Sequence, residues 1–247
     1  NQKGIRFVGD IPIYVAYDSV DVWANPELFK LDDQRKIKFQ SGCPPDFFNT
    51  KGQVWGHPVY NWKTHKKTGY KWWLNRIEHT FNLVDVVRID HFNGFAKYWE
   101  VKAGETDGAT GHWVVGPGED FLSAVKQSLG ARPIIAEDLG EAAKEAAVLR
   151  KKFDIPGMSI LQMAFGENAN INGNLKSLDS EINVVYTGTH DNDTTIGWFQ
   201  TLPESVISTQ IAADIVKERK RALKFLGTDG SEINWDFISL ALHSKVN

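Results

Sequence analysis

The chain has 247 residues, 42% hydrophobic and 24% charged, a balance that excludes disorder and fibrous repeats and fits a globular protein. Its net charge of -3, with basic residues scattered, gives no electrostatic footprint for nucleic acid or an anionic membrane surface. One cysteine, Cys43, excludes an internal disulfide framework and fits a reducing compartment.

No stretch approaches the ~20 apolar residues a membrane span needs, and NQKGIRFVGD has no signal-peptide hydrophobic region. A cytoplasmic location is therefore expected, or the plastid stroma if the source is a plant. The length suits one α/β unit.

In chain order, GIRFVGDIPIYV (4–15) predicts the first strand. Residues 16–68 follow, rich in Pro, Gly and aromatics, and too long for a plain connection. They read as a functional excursion, an inserted subdomain. Apolar residues at helical spacing then predict a helix over 69–82, and VDVVRID (84–90) predicts a second strand. A helix over 119–129, a strand PIIAED (133–138) and a helix over 141–153 continue the alternation. Strands MSILQMAF (158–165) and INVVYTGTHD (182–191) precede helices over 204–226 and from Ser231, a capping-type residue, onward. Strands alternating with helices predict an α/β fold with a mostly parallel sheet, and the runs of consecutive apolar residues fit strands covered on both faces. Nine Trp, beside 14 Phe and six Tyr, suggest a half-buried aromatic surface suited to the apolar faces of sugar rings.

Three strand ends are polar in the same way. Arg88 and Asp90 are two apart on a strand and so share a face, where a guanidinium within ~4 to 6 Å favours the ionised carboxylate. Glu137 closes PIIAED, and His190 and Asp191 close VVYTGTHD. In an α/β barrel the active site lies at the carboxyl ends of the strands, so the three acids are expected to converge. Paired carboxylates roughly 5 to 5.5 Å apart cleave glycosidic bonds with retention. A metal-dependent hydrolase would need closely spaced histidines such as H-x-H, and none of the seven His provides one; no metal is expected.

At these motifs the chain resembles the 4-α-glucanotransferases of the amylomaltase or disproportionating-enzyme type, within the α-amylase superfamily. The resemblance runs through GIRFVGDIPIYVAYDSVDVWANPE, CPPDFFNTKGQVWGHPVYNW, VVRIDHFNGFAKYWE, IIAEDLG, DIPGMSILQMAF and VVYTGTHDNDTTIGW. It implies a (β/α)8 TIM barrel, here incomplete with only central strands, so that 1–247 forms the catalytic barrel portion and 16–68 overhangs a substrate groove. It implies Asp90 as nucleophile, Glu137 as general acid and base, and Asp191 as transition-state stabiliser. Arg88 would orient the nucleophile, His91 and His190 would contact sugar hydroxyls, and Asp10 would support the site. Asp46, Phe47, Phe48 and Trp55 fall in the substrate-binding part of the excursion. The implied partners are α-1,4-glucans, maltooligosaccharides and glucose as acceptor, with no cofactor. A glucan hydrolase of the same superfamily, or a glucan-binding fragment without activity, are the alternatives. Asn93 in HFNGF and Phe47 depart from residues common in that family.

Overall fold

The computed structural model describes residues 3–45, 51–140, 142–166, 183–201 and 209–244. The chain divides into two compact units, Asn1–Ile155 and Pro156–Asn247.

The first unit is built on a parallel sheet of β1 (Val8–Ile11), β4 (Val86–Ile89) and β7 (Ile134–Ala136), in the order β1-β4-β7. The register pairs Asp10 with Arg88, and Arg88 with Ile135. Helix α3 (Lys71–Phe81) buries Trp73 and Ile77, one turn apart, and α5 (Gly118–Leu129) buries Phe121, Leu122 and Val125. Together with Val87, Ile89, Phe92 and Phe95, all 1% exposed or less, they form one apolar core. Parallel strands joined through helices make this an α/β protein.

A second, antiparallel sheet has the order β3-β2-β5-β6, from β2 (Phe39–Cys43), β3 (Gln53–Pro58), β5 (Lys97–Lys102) and β6 (His112–Val115). Sequence patterning does not predict it. Two of its strands come from the 16–68 excursion and two from residues 97–115, so the excursion is tied into the segment after β4. The close approach requires glycine at Gly42, where a Cβ would fall 2.2 Å from the Gln53 carbonyl oxygen. The excursion also contains α1 (Val20–Ala24), capped by the Ser19 hydroxyl, and α2 (Trp62–Lys67), capped by Asn61. A single helical turn, α4 (Asn93–Ala96), links β4 to β5.

After β7 comes α6 (Ala143–Lys152), with Glu145 in its first turn and Arg150, Lys151 and Lys152 in its last, as the helix dipole favours. The second unit holds β8 (Gly157–Ile160) and β9 (Asn183–Tyr186), paired in parallel. Its helices are α7 (Thr195–Gln200), α8 (Thr209–Leu226) and α9 (Ile233–His243). Their core is Leu161, Ala164, Phe165, Ala222, Ile233 and Phe237. Four of the five expected strands contain an observed one; the fourth, 158–165, overlaps β8, which starts one residue earlier at Gly157 and gives way to a 3-10 turn at Leu161–Met163. The last helix differs at its start: Glu232, not Ser231, occupies the cap position, because the Ser231 amide donates to Asp229 in a preceding turn.

Of the nine Trp, only Trp73 is fully buried. Trp55, Trp62, Trp72, Trp99 and Trp198 are half-buried, and Trp23, Trp113 and Trp235 are exposed.

Candidate active site

The carboxyl ends of β1, β4 and β7 meet at one place in the first unit. Ladder hydrogen bonds continue one step past the strands: the Asp90 amide donates to Ile11 O and the Glu137 amide to Ile89 O, both at 3.0 Å. Asp10, Asp90 and Glu137 are therefore held at neighbouring levels of one sheet.

Arg88 lies at the centre. Its Nη1 donates to both oxygens of Asp10, at 2.8 and 2.7 Å, and to Asp90 Oδ1 at 3.2 Å. The guanidinium side chain is 8% exposed, while those of Asp10 and Asp90 are 43% and 36% exposed. The cation is thus sunk beneath carboxylates that face solvent. Burial alone would lower the Arg88 pKa, but the Asp10 hydrogen bonds and charge, with Glu137 and Asp90 adding, outweigh it and hold it above its ordinary value. The two-residue spacing of Arg88 and Asp90 puts them on one face, as the sequence predicts.

Glu137 is positioned by the loop after β4. Its Oε2 accepts from the His91 backbone N–H at 2.5 Å, and its carbonyl accepts from the Phe92 N–H at 3.0 Å. His91 has φ of 48°, in the left-handed region that non-glycine residues seldom enter. That conformation turns its amide toward the carboxylate. Asn93, 1% exposed, donates from Nδ2 to Leu139 O, a second tie between the two loops. At Gly94, which follows, the backbone packs against the tip of Ile13, whose Cδ1 lies 2.6 Å from where a Cβ would be.

The His91 ring is desolvated, which pushes its pKa down to about 4, so it is a neutral imidazole at physiological pH. Trp55, from the excursion, stands edge-on to it with ring centroids 5.0 Å apart, and its indole N–H donates to Gln53 Oε1 at 2.9 Å. A half-buried aromatic from the excursion therefore reaches the residue beside Glu137.

Asp138 turns away from this face. It forms a buried ion pair with Arg150 of α6, both side chains under 10% exposed at 8% and 7%. The pair anchors the backbone directly after Glu137. Arg150 is not among the residues expected from the sequence; the second acid of A-E-D is the signal that points to it.

Asp191 and His190 belong to the second unit, on the loop after β9. Their side chains are 64% and 69% exposed, and Nε2 and Oδ1 lie 3.5 Å apart. Asp46, Phe47 and Phe48 lie outside the described residues. Among the described residues no group of His, Cys, Asp and Glu could hold a metal ion, and no helix is long and apolar enough to cross a membrane.

Fold and site define an α/β protein that presents carboxylates, ordered by a buried arginine, at the carboxyl ends of parallel strands. The family model for 4-alpha-glucanotransferase matches residues 1–247, and the chain belongs to that family. It is similar to the 4-alpha-glucanotransferase of Streptococcus pneumoniae, 50% identical over 201 residues, covering 81% of this chain and 39% of the relative. The 4-alpha-glucanotransferase of Synechocystis is 45% identical over 255 residues, covering 99% and 46%. Among solved structures, an amylomaltase from Streptococcus agalactiae in complex with acarbose superposes with a TM-score of 0.88 at 35% identity, covering 99% of this chain and 47% of that one. The chain thus spans less than half the length of these relatives.

Proposed function

We propose that the chain carries the catalytic carboxylates of a retaining 4-α-glucanotransferase, with Asp90 as nucleophile and Glu137 as general acid and base. The observation that carries this reading is the Arg88-centred cluster: Asp10 and Asp90 bound to one sunken guanidinium, with Glu137 fixed beside it by the His91 amide. Arg88 aims the Asp90 carboxylate through its 3.2 Å bond to Oδ1. The backbone bond holds one Glu137 oxygen in place.

In the first half-reaction the Glu137 proton goes to the bridging oxygen of an α-1,4-glucan while Asp90 attacks the anomeric carbon. The C–O bond breaks, the reducing-end piece leaves, and a glycosyl ester with Asp90 remains. In the second, Glu137 takes the proton from the 4-hydroxyl of an acceptor glucan or glucose, whose oxygen displaces the ester. Trp55 against His91 supplies an apolar wall where an acceptor sugar excludes water, which favours transfer over hydrolysis. The acarbose bound by the S. agalactiae amylomaltase is consistent with oligosaccharides as ligands here. Asp191 as transition-state stabiliser, and His190, Asp46, Phe47 and Phe48 as sugar contacts, rest on their motifs. Asp10 serves as the second anchor of Arg88.

We also infer that β1, β4, β7, β8 and β9 are five strands of a (β/α)8 barrel, with 16–68 overhanging its groove. The parallel register within each unit supports this. No metal or other cofactor enters the proposed chemistry.

The test is incubation of the chain with maltotriose, with products resolved by chromatography. Glucose together with oligomers longer than the substrate supports the proposal. Glucose and maltose without longer products would identify a hydrolase. Bound maltooligosaccharide without turnover would leave the chain a glucan-binding fragment.

A further inference from the structure

Within the second unit, the loop of residues 187–194 joins β9 to α7 and carries His190 and Asp191. Its own hydrogen bonds give it a shape: Asn192 Oδ1 accepts from the Thr189 amide at 3.1 Å and the Thr189 hydroxyl at 3.0 Å, and the Asp191 amide donates to Thr189 Oγ1 at 3.3 Å. Thr194 then caps α7 through the Gly197 amide at 3.0 Å. None of these bonds fixes the loop to the strands below.

A side chain at the end of β8 does. Gln162 follows β8 in the 3-10 turn Leu161–Met163 and is 4% exposed. Its Nε2 donates to the Asp193 carbonyl at 2.9 Å. On the other side of the loop, a Cβ placed on Gly188 would lie 2.7 Å from that Nε2 and 3.1 Å from the amide carbon. The amide therefore lies against the Gly188 backbone and reaches past it to Asp193. A single buried amide touches the loop on both sides of His190 and Asp191, two residues before one and two after the other. Leu161, Ala164 and Phe165, each 2% exposed or less, hold the turn that presents it.

We propose that Gln162 is a positioning residue that sets the height and direction of the Asp191 side chain at its strand end. It touches no substrate. Its effect on catalysis rests on the reading of Asp191 as a transition-state stabiliser, whereas its hold on the loop does not.

The test compares the parent chain with its Gln162→Glu, Gln162→Leu and Asp191→Asn variants by amide hydrogen exchange and by transfer from maltotriose. Glu keeps the size of Gln but, when ionised, cannot donate and sets a carboxylate against the Asp193 carbonyl. Loss of this one bond is expected to speed exchange across 187–194 about tenfold while α8 and α9 stay within about twofold of the parent. Both Gln162 variants should lose kcat by about tenfold or more with KM little changed. Lowering the pH should raise the rate of Gln162→Glu relative to the parent, because the protonated carboxyl again donates; Gln162→Leu should show no such recovery.

Parent-like loop exchange in both Gln162 variants overturns the proposal. So does exchange that rises equally in α8 and α9, which would make Gln162 a general support of the fold. A loosened loop with undiminished kcat in the Gln162 variants, beside an impaired Asp191→Asn, would overturn the positioning role alone. If Asp191→Asn keeps full activity, or the parent transfers nothing, the catalytic reading fails and hydrogen exchange still decides whether Gln162 holds the loop.

Discussion

Replacing Arg150 by Met should be among the most costly single changes in the first unit. The guanidinium and the Asp138 carboxylate are 7% and 8% exposed, and Arg150 also donates from Nη1 to Ile155 O at 3.3 Å. Removing only the cation leaves a carboxylate in a water-poor place without its counter-charge, which costs roughly 3 to 5 kcal/mol. Replacing both members, Asp138→Leu with Arg150→Met, removes the buried charge along with the partner and should cost less than the single change. Against a typical stability of about 5 to 15 kcal/mol, the single variant should lose about a fifth or more. Urea unfolding of parent, singles and double, read separately by probes in each unit, measures the coupling between the two positions. Single losses below about 1 kcal/mol, or strictly additive losses, would refute the reasoning. Because Asp138 follows Glu137 directly, Arg150→Lys, which keeps the charge but not the fork, should cost less stability than Met.

Glu137→Gln should lower transfer by about two to four orders of magnitude, the usual worth of a placed acid and base, with oligosaccharide binding by calorimetry little changed; equal losses of binding and rate would argue against its role. Arg88→Met should weaken the site and the fold together, since Asp10 and Asp90 lose their shared partner, and a variant with wild-type kcat would remove Arg88 from the site. Gly42→Ala should destabilise by about 1 to 3 kcal/mol, because the added carbon meets a backbone oxygen at 2.2 Å in the antiparallel sheet; an unchanged urea midpoint would contradict it. Deep burial lowers the His65 pKa from 6.5 to about 4, the Leu28 carbonyl offsetting part of that. A lowered folded value means the unfolded chain binds the proton first, so stability is kept above about pH 6.5 and falls as the pH drops toward about 4. The loss should reach about 2 kcal/mol between roughly pH 7 and 5 at ~1.4 kcal/mol per unit, and His65→Phe should remove that part of the acid sensitivity.

The parallel strands are legible in the sequence because their apolar runs are continuous and end in charge: VDVVRID and PIIAED contain β4 and β7. The antiparallel sheet is not, because its strands alternate weakly and carry unusual residues. FQSGC has a glycine that only the close Gln53 carbonyl explains, and KYWEVK hides a glutamate, Glu100, that pairs with Lys30 at 2.5 Å across 70 positions. No local pattern reveals a partner so distant. The spacing of Arg88 and Asp90 reveals their shared face, but not that Asp10 takes the closer bonds. The motif around His91 points to its ring as a sugar contact; its backbone amide, which holds Glu137, has no signature in the sequence because a positive φ is set by the surrounding packing.

Why the supporting residues sit where they do follows from where the sheets stop. A strand interior has its backbone fixed by ladder bonds on both sides, but beyond the last pair that fixing ends while the side chains proposed as catalytic must still be held to a fraction of an ångström. In the first unit the ladder runs out at Asp90 and Glu137, and side chains take over: Arg88 from within the sheet, Asn93 from the start of α4 and Arg150 from α6. In the second unit the ladder ends at Tyr186, several residues before Asp191, so an uncharged amide, Gln162, reaches the loop from the neighbouring strand's end. A charged partner serves where the target is a carboxylate, and a neutral donor serves where the target is a backbone carbonyl. The same logic predicts that exchanging the devices fails: Gln162→Arg would put a longer cation against Gly188, where the existing amide nitrogen already lies 2.7 Å from the place a Cβ would take, and the loop should loosen more than in Gln162→Leu. Faster exchange in Leu than in Arg across 187–194 would show that charge, not fit, governs the hold.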